Sequence, residues 1–137
     1  MSGRDPGPAS VLELVDVTKT YRSGSLEVEA LHEVSLRIDR GEFVALMGPS
    51  GCGKSTLLNL VAGLDLADDG EIILDGETIT GQTEDWLARM RRRHIGIVFQ
   101  FFNLLEGMSA LENVVLPAMI AGTKRKKAET RARDLLD

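Results

Sequence analysis

The segment VLELVDV (11–17) alternates apolar and polar positions enough to predict a strand, and LEVEALHEVSLRID (26–39) predicts two further short strand-like segments. Val28, Leu31, Val34, Leu36 and Ile38 are the candidate inward residues of the second stretch, and the polar run TKTYRSGS between the two stretches is expected to turn. An antiparallel sheet near the N-terminus follows. FVALM (43–47) and IGIVF (95–99) are instead continuous apolar runs, the pattern of strands buried on both faces of a parallel sheet. A helix beginning near Lys54 has Leu57, Leu58, Leu60, Val61 and Leu64 for its buried surface, with Gly63 placed to end it at positive φ. EIILDG (71–76) predicts a strand and turn, and TEDWLARMRRR (83–93) a charged amphipathic helix. Ser109 and Glu112 have capping-box spacing ahead of a helix with Leu111, Val114, Val115 and Met119 on its apolar side. Pro117 inside that helix is expected to kink or divide it. Thr123 is expected to cap a last helix, KRKKAETRARDLLD, whose apolar positions are Ala128, Ala132, Leu135 and Leu136.

Composition narrows the possible functions. The 137 residues suit one domain, and the longest apolar runs, such as TLLNLVAGL (56–64), fall far short of the roughly 20 residues that cross a bilayer. MSGRDPGPAS (1–10) lacks the apolar stretch of a signal peptide and reads as a flexible leader ahead of a domain over 11–137. The single cysteine permits no internal disulfide, which fits a reducing cytoplasm. A net charge of −5, from 16 Lys plus Arg against 21 Asp plus Glu, argues against nucleic acid as a partner held by general phosphate attraction. It leaves room for a local anion site, because such a pocket needs only a few oriented donors.

GPSGCGKST (48–56) supplies the pattern for that site, and it stands between an apolar run and a Leu-rich helix. Successive backbone N–H groups converge on a polyphosphate when a loop wraps tightly, and a helix N-terminus adds unpaired N–H groups and a favourable dipole. Gly48, Gly51 and Gly53 permit the required backbone angles and keep side chains out of the way. Lys54 reaches the β and γ phosphates in such loops, the Ser55 hydroxyl ligates Mg²⁺, and Thr56 adds an N–H and a hydroxyl. A plain Gly/Ser turn joining strand to helix is the alternative for the loop alone. GTPases and small-molecule kinases use the same loop, but the guanine-reading Asn-Lys-x-Asp is missing.

Beyond the loop, LVDVTKTYRSGSLEVEALHEVSLRIDRGEFVALMGPSGCGKSTLLNLVAGLD, GEIILDG and IGIVFQFFNLLEGMSALENVVLP follow in order. Together they resemble the nucleotide-binding subunit of ABC transporters, most closely the lipoprotein-releasing and macrolide-export ATPases. The resemblance implies an α/β P-loop NTPase core with an N-terminal antiparallel β subdomain and the start of a helical subdomain. It implies ATP and Mg²⁺ as ligands, with Tyr21 stacking on adenine and Val28 bordering the base. Ser50 and Cys52 complete the phosphate loop, and Gln100 touches Mg²⁺ or the attacking water, so Lys54 and Gln100 are the catalytic candidates. Phe101, Phe102 and Leu104 would face the membrane subunit, a satellite core being the alternative. The implied partners are ABC transporter membrane subunits and a second nucleotide-binding subunit, on the cytoplasmic face of the membrane.

The sequence also departs from the family. Ala67-Asp68-Asp69-Gly70 stands where Pro-Thr-x-Gly is common, and Glu106-Gly107-Met108 where the turn often contains Pro. The Leu-Ser-Gly-Gly signature, the apolar strand ending in Asp-Glu, and the later His have no match in these 137 residues. The chain is therefore expected to be the first part of a longer ATPase, binding ATP without efficient turnover by itself; a nucleotide-binding remnant is the other expectation. His32 and His94 lack ligand partners at zinc-site spacing, and the basic runs Arg91–Arg93 and Lys124–Lys127 read as solvated helix faces.

Overall fold

The computed structural model describes residues 10–137. They form two compact units, one reaching to Ala88 and one spanning Arg89–Asp137. The leader expected over residues 1–10 lies outside the described residues except for Ser10, which begins the first strand.

The first unit carries a four-stranded antiparallel sheet in the order β2-β1-β3-β4, formed by β1 (Ser10–Ser23), β2 (Leu26–Asp39), β3 (Asp69–Leu74) and β4 (Glu77–Thr78). β1 is longer than its sequence pattern predicts. The polar run TKTYRSGS is mostly strand and only Gly24 and Ser25 turn, while 26–39 forms one strand instead of two. Pairing with β2 explains the difference: the register runs on through Tyr21↔Val28 to Ser23↔Leu26, so the backbone of this polar stretch finds its hydrogen bonds across the hairpin.

A bulge determines which side chains β1 turns inward. Leu12 and Leu14 are buried at even positions, but the register shifts between Leu14 and Val17, and burial then moves to Val17 and Lys19. Asp16, at φ 49°, makes the irregular step, and its backbone N–H donates to Ser35 Oγ at 2.9 Å while that hydroxyl donates to the Asp16 carboxylate at 2.9 Å. One extra residue in a strand inverts the alternation beyond it. Gly70 packs against this step: a Cβ there would lie 2.4 Å from the Asp16 carbonyl oxygen. The β3–β4 connection is Asp75-Gly76, both at positive φ (52° and 81°), as a tight two-residue hairpin demands.

Helix α1 (Lys54–Val61) starts where the sequence predicts. It ends as expected on Gly63 at φ 63°, with the Gly63 N–H on Leu60 O (2.9 Å) and the Leu64 N–H on Asn59 O (2.8 Å), a Schellman closure. Leu57 and Leu60 are buried, whereas Leu58 and Leu64 remain more than half exposed, so only one side of the expected apolar surface is used. Val28 is likewise half exposed rather than inward.

FVALM and IGIVF are the clearest departures. Neither run is a strand; Phe43 is 97% and Val98 100% exposed. A parallel strand takes its hydrogen bonds from neighbours, and neither run has one beside it among the described residues.

Helix α2 (Glu84–His94) crosses the division between the units. In the second unit, α3 (Ala110–Ile120) packs on α4 (Arg125–Leu136) through Val115, Ala128 and Ala132. The predicted capping box is present: Ser109 Oγ accepts from the Glu112 N–H at 3.3 Å, and the Ser109 N–H donates to the Glu112 carboxylate at 2.8 Å. Helix α3 runs through Pro117 undivided. Lys124, not Thr123, is the N-cap of α4, and no side chain caps it. The Thr123 N–H instead closes α3 on Ala118 O at 2.9 Å, so its residue belongs to the preceding helix end.

Candidate functional site

The loop between residue 48 and α1 is shaped by its glycines. Gly51 and Gly53 stand at φ 80° and 87°, a region that costs an L side chain roughly 1–2 kcal/mol. Gly53 has a second constraint, since a Cβ would meet the Ala30 carbonyl oxygen of β2 at 2.4 Å. The loop thus rests directly on the hairpin. Gly53 is also the N-cap of α1; it offers no side chain to cap the helix, and the first turn contains no acidic residue. The opening N–H groups of a helix have no intrahelical acceptor, so those of Lys54, Ser55 and Thr56 are oriented donors at the positive end of the helix dipole.

Lys54 closes the loop on itself. Its ammonium donates to the carbonyl oxygens of Gly48 (2.7 Å) and Pro49 (2.6 Å) and lies 3.4 Å from Cys52 Sγ. Those bonds hold its charge against the loop. Cys52 is exposed, and its sulfur sits 2.6 Å from where a Cβ on Gly48 would lie. Ser50 and Ser55 are exposed, and Thr56 is half-buried.

Tyr21 stands beside this loop. The register places Val28 directly opposite it on β2, so both side chains share one face of the hairpin. The Tyr21 hydroxyl donates to Asp65 Oδ2 at 2.7 Å, which links the strand to the turn that follows α1. Its pKa is raised, chiefly because the hydroxyl donates to Asp65, with burial and the Asp65 charge adding to the effect. Of the expected site residues, Tyr21, Val28, Gly48, Ser50, Gly51, Cys52, Gly53, Lys54, Ser55 and Thr56 lie in the first unit. Gln100 belongs to the second, where it is exposed and followed by the exposed Phe101, Phe102 and Leu104.

The sequence matches the ABC transporter family over residues 31–137. The chain belongs to that family. It is 46% identical over 127 residues to an uncharacterised ABC transporter ATP-binding protein of Thermotoga maritima, covering 93% of this chain and 54% of that protein. It is 46% identical over 129 residues to the macrolide export ATP-binding/permease protein MacB of Brucella abortus, covering 94% of this chain and 20% of that protein. Among solved structures it resembles the ATP-binding cassette MJ0796, determined as a dimer in a post-hydrolysis state bound to ADP and Pi. The TM-score is 0.84 at 42% identity, over 90% of this chain and 54% of that one. The chain spans about half the length of that cassette and of the Thermotoga protein. The antiparallel sheet, glycine-rich loop and helices are thus part of an ABC ATPase fold, as the sequence motifs imply.

Asp65 and Lys19 were not among the residues singled out in the sequence. The one local signal is the i, i+2 spacing of Lys19 and Tyr21, which places both on one face of a strand. Asp65 is 44 positions from Tyr21, and no periodicity joins them.

Proposed function

We propose that this chain binds Mg-ATP and forms the leading part of an ABC transporter ATPase that powers transport or extraction by partner membrane subunits. The observation that carries the proposal is the loop itself: positive-φ glycines, an uncapped helix N-terminus and Lys54 drawn over the loop make a donor set suited to a polyphosphate. Gly48, Ser50, Gly51, Cys52 and Gly53 surround the phosphates with backbone, and Lys54, Ser55 and Thr56 add a charge and two hydroxyls. Tyr21 stacks on the adenine and Val28 borders it. Ser55 in the first unit would offer its hydroxyl to Mg²⁺, Gln100 in the second is the other candidate ligand, and the ion would offset phosphate charge. No described helix is long and apolar enough to cross a membrane. In this reading membrane association comes through partner subunits, on the cytoplasmic face, and a second nucleotide-binding subunit completes the working pair.

Lys54→Ala tests the phosphate assignment. Removing the ammonium should weaken ATP far more than adenosine, measured by calorimetric titration of both variants with both ligands. Equal ATP affinity in the wild type and Lys54→Ala would remove the loop from the site.

A further inference from the structure

Among the described residues Lys19 is the buried charged group, only 9% exposed, and the loop chemistry has no use for it. Its ammonium donates to Leu66 O at 2.7 Å and pairs with Asp65 Oδ1 at 3.1 Å and Asp68 Oδ1 at 3.6 Å. It also lies over the Tyr21 ring, 5.2 Å from the centroid. Asp65 divides its oxygens: Oδ1 faces Lys19 and accepts the Leu66 N–H at 2.8 Å, while Oδ2 takes the Tyr21 hydroxyl. Asp68 Oδ2 accepts the Thr20 N–H at 2.6 Å, fastening the same turn to the strand beside Tyr21. The ring is held by its hydroxyl and by a cation on one face, yet the residue remains 41% exposed. A surface tyrosine with no task would not need two anchors.

We propose that Asp65 and Lys19 are positioning residues for the nucleotide base: Asp65 clamps the Tyr21 hydroxyl, Lys19 holds Asp65, and the ring is fixed in its stacking orientation before the base arrives. The proposal rests on the reading that Tyr21 meets the base. Holding a side chain in its bound rotamer removes an ordering cost from binding. Releasing one such side chain should weaken ATP binding by about 2- to 12-fold. Lys19 fits the task chemically. Burial alone would lower its pKa, but the Asp65 hydrogen bond and the charges of Asp65 and Asp68 outweigh this and leave it raised, so it is a cation at any physiological pH. Asp65 is the counterpart: burial disfavours its charge, and the hydrogen bonds from Tyr21, the Leu66 N–H and Lys19 overcome that and hold it ionised.

The full chain allows a direct test, because Tyr21 is its single tyrosine. ATP and inorganic tripolyphosphate are titrated calorimetrically into wild type, Asp65→Ala, Asp65→Asn, Tyr21→Phe, Tyr21→Ala and the Tyr21→Phe/Asp65→Ala double variant. Asp65→Ala should lose about 2- to 12-fold in ATP affinity and leave tripolyphosphate unchanged. Tyr21→Phe, which keeps the ring and opens no cavity, should lose the same amount. Adding Asp65→Ala to Tyr21→Phe should cost little more, and Asp65→Asn, which retains an acceptor for the hydroxyl, should recover most of the affinity. Tyrosinate absorbance should show Tyr21 ionising at lower pH in Asp65→Ala than in wild type. A full additional loss in the double variant, or an equal loss for tripolyphosphate, would overturn the positioning role. If Tyr21→Ala weakens ATP while Asp65→Ala and Tyr21→Phe do not, positioning alone fails. If Tyr21→Ala leaves ATP affinity untouched, the base-stacking reading fails with it.

Discussion

Gly53→Ala against Gly51→Ala separates two reasons for a glycine within one loop. Both residues hold positive φ, 87° and 80°, so each alanine pays roughly 1–2 kcal/mol for left-handed backbone. Gly51 pays only that, because nothing lies within 4 Å of its added Cβ. At Gly53 the Cβ meets Ala30 O at 2.4 Å and Leu31 Cδ2 at 3.0 Å. Weak carbon–oxygen contacts begin near 3.3 Å, so the loop and β2 must part by about 1 Å. The nearer obstacle is backbone in a paired strand, which cannot rotate aside. Overpacking of this kind typically costs a further ~1–3 kcal/mol, giving about 2–5 kcal/mol for Gly53→Ala against about 1–2 for Gly51→Ala. For a domain whose whole stability is of order 5–15 kcal/mol the larger figure is serious. Urea unfolding without nucleotide, followed by fluorescence of Trp86, the single tryptophan and part of the first unit, reads the difference directly. Equal midpoints and slopes for the two variants would refute the claim that the loop is seated on the hairpin.

Cys52 should be alkylated more slowly in the presence of Mg-ATP, since its sulfur lies 3.4 Å from the Lys54 ammonium; mass spectrometry of time courses with and without nucleotide checks this, and identical rates would place the thiol outside the occupied loop. Asp65 has its folded pKa lowered below the ordinary 3.8 by the hydrogen bonds and charge that outweigh its burial, so its stabilising contribution is present above that value and is lost as pH falls through the lowered one. The stability gap between wild type and Asp65→Asn should accordingly be constant near neutrality and close in strong acid, as read by denaturant titration at several pH values; a gap that widens in acid would contradict the sign. Phosphate release by the chain alone, corrected with Lys54→Ala for contaminating activity, should stay far below family-like turnover, because the 137 residues contain neither the Leu-Ser-Gly-Gly signature nor a strand-borne Asp-Glu pair. Sustained turnover of several ATP per second that Lys54→Ala abolishes would require a catalytic arrangement elsewhere in these residues.

What the sequence revealed was mainly local. The start of α1 at Lys54, its glycine stop, the Ser109–Glu112 box and the Asp-Gly turn after β3 each depend on residues within a few positions of one another, and each is where the pattern predicts. The glycine-rich loop and the helix it opens were legible for the same reason. Long-range pairing was not: β1 runs six residues further than VLELVDV suggests, past Val17 to Ser23, because β2 supplies partners that hydropathy does not record. FVALM and IGIVF read as strands because their composition suits one, but a strand also needs neighbours. Asp65 escaped notice because its role depends on a bulge that turns Lys19 and Tyr21 toward it, and a bulge leaves no mark in an alternating pattern.

The exposed runs at 43–47 and 95–99 also bear on colloidal behaviour. Phe43 and Val98 are almost fully solvated beside backbone groups that no strand engages among the described residues. Short uncharged segments without proline, displayed in this way, are templates for strand addition between molecules. Gatekeepers border both: Glu42 and Gly48-Pro49 flank the first, and Arg91–Arg93 precede the second. In dilute solution the net charge of −5 keeps copies of the chain apart. As concentration rises, association should begin at these two runs, as short-range adhesion whose growth the flanking charges and proline restrain.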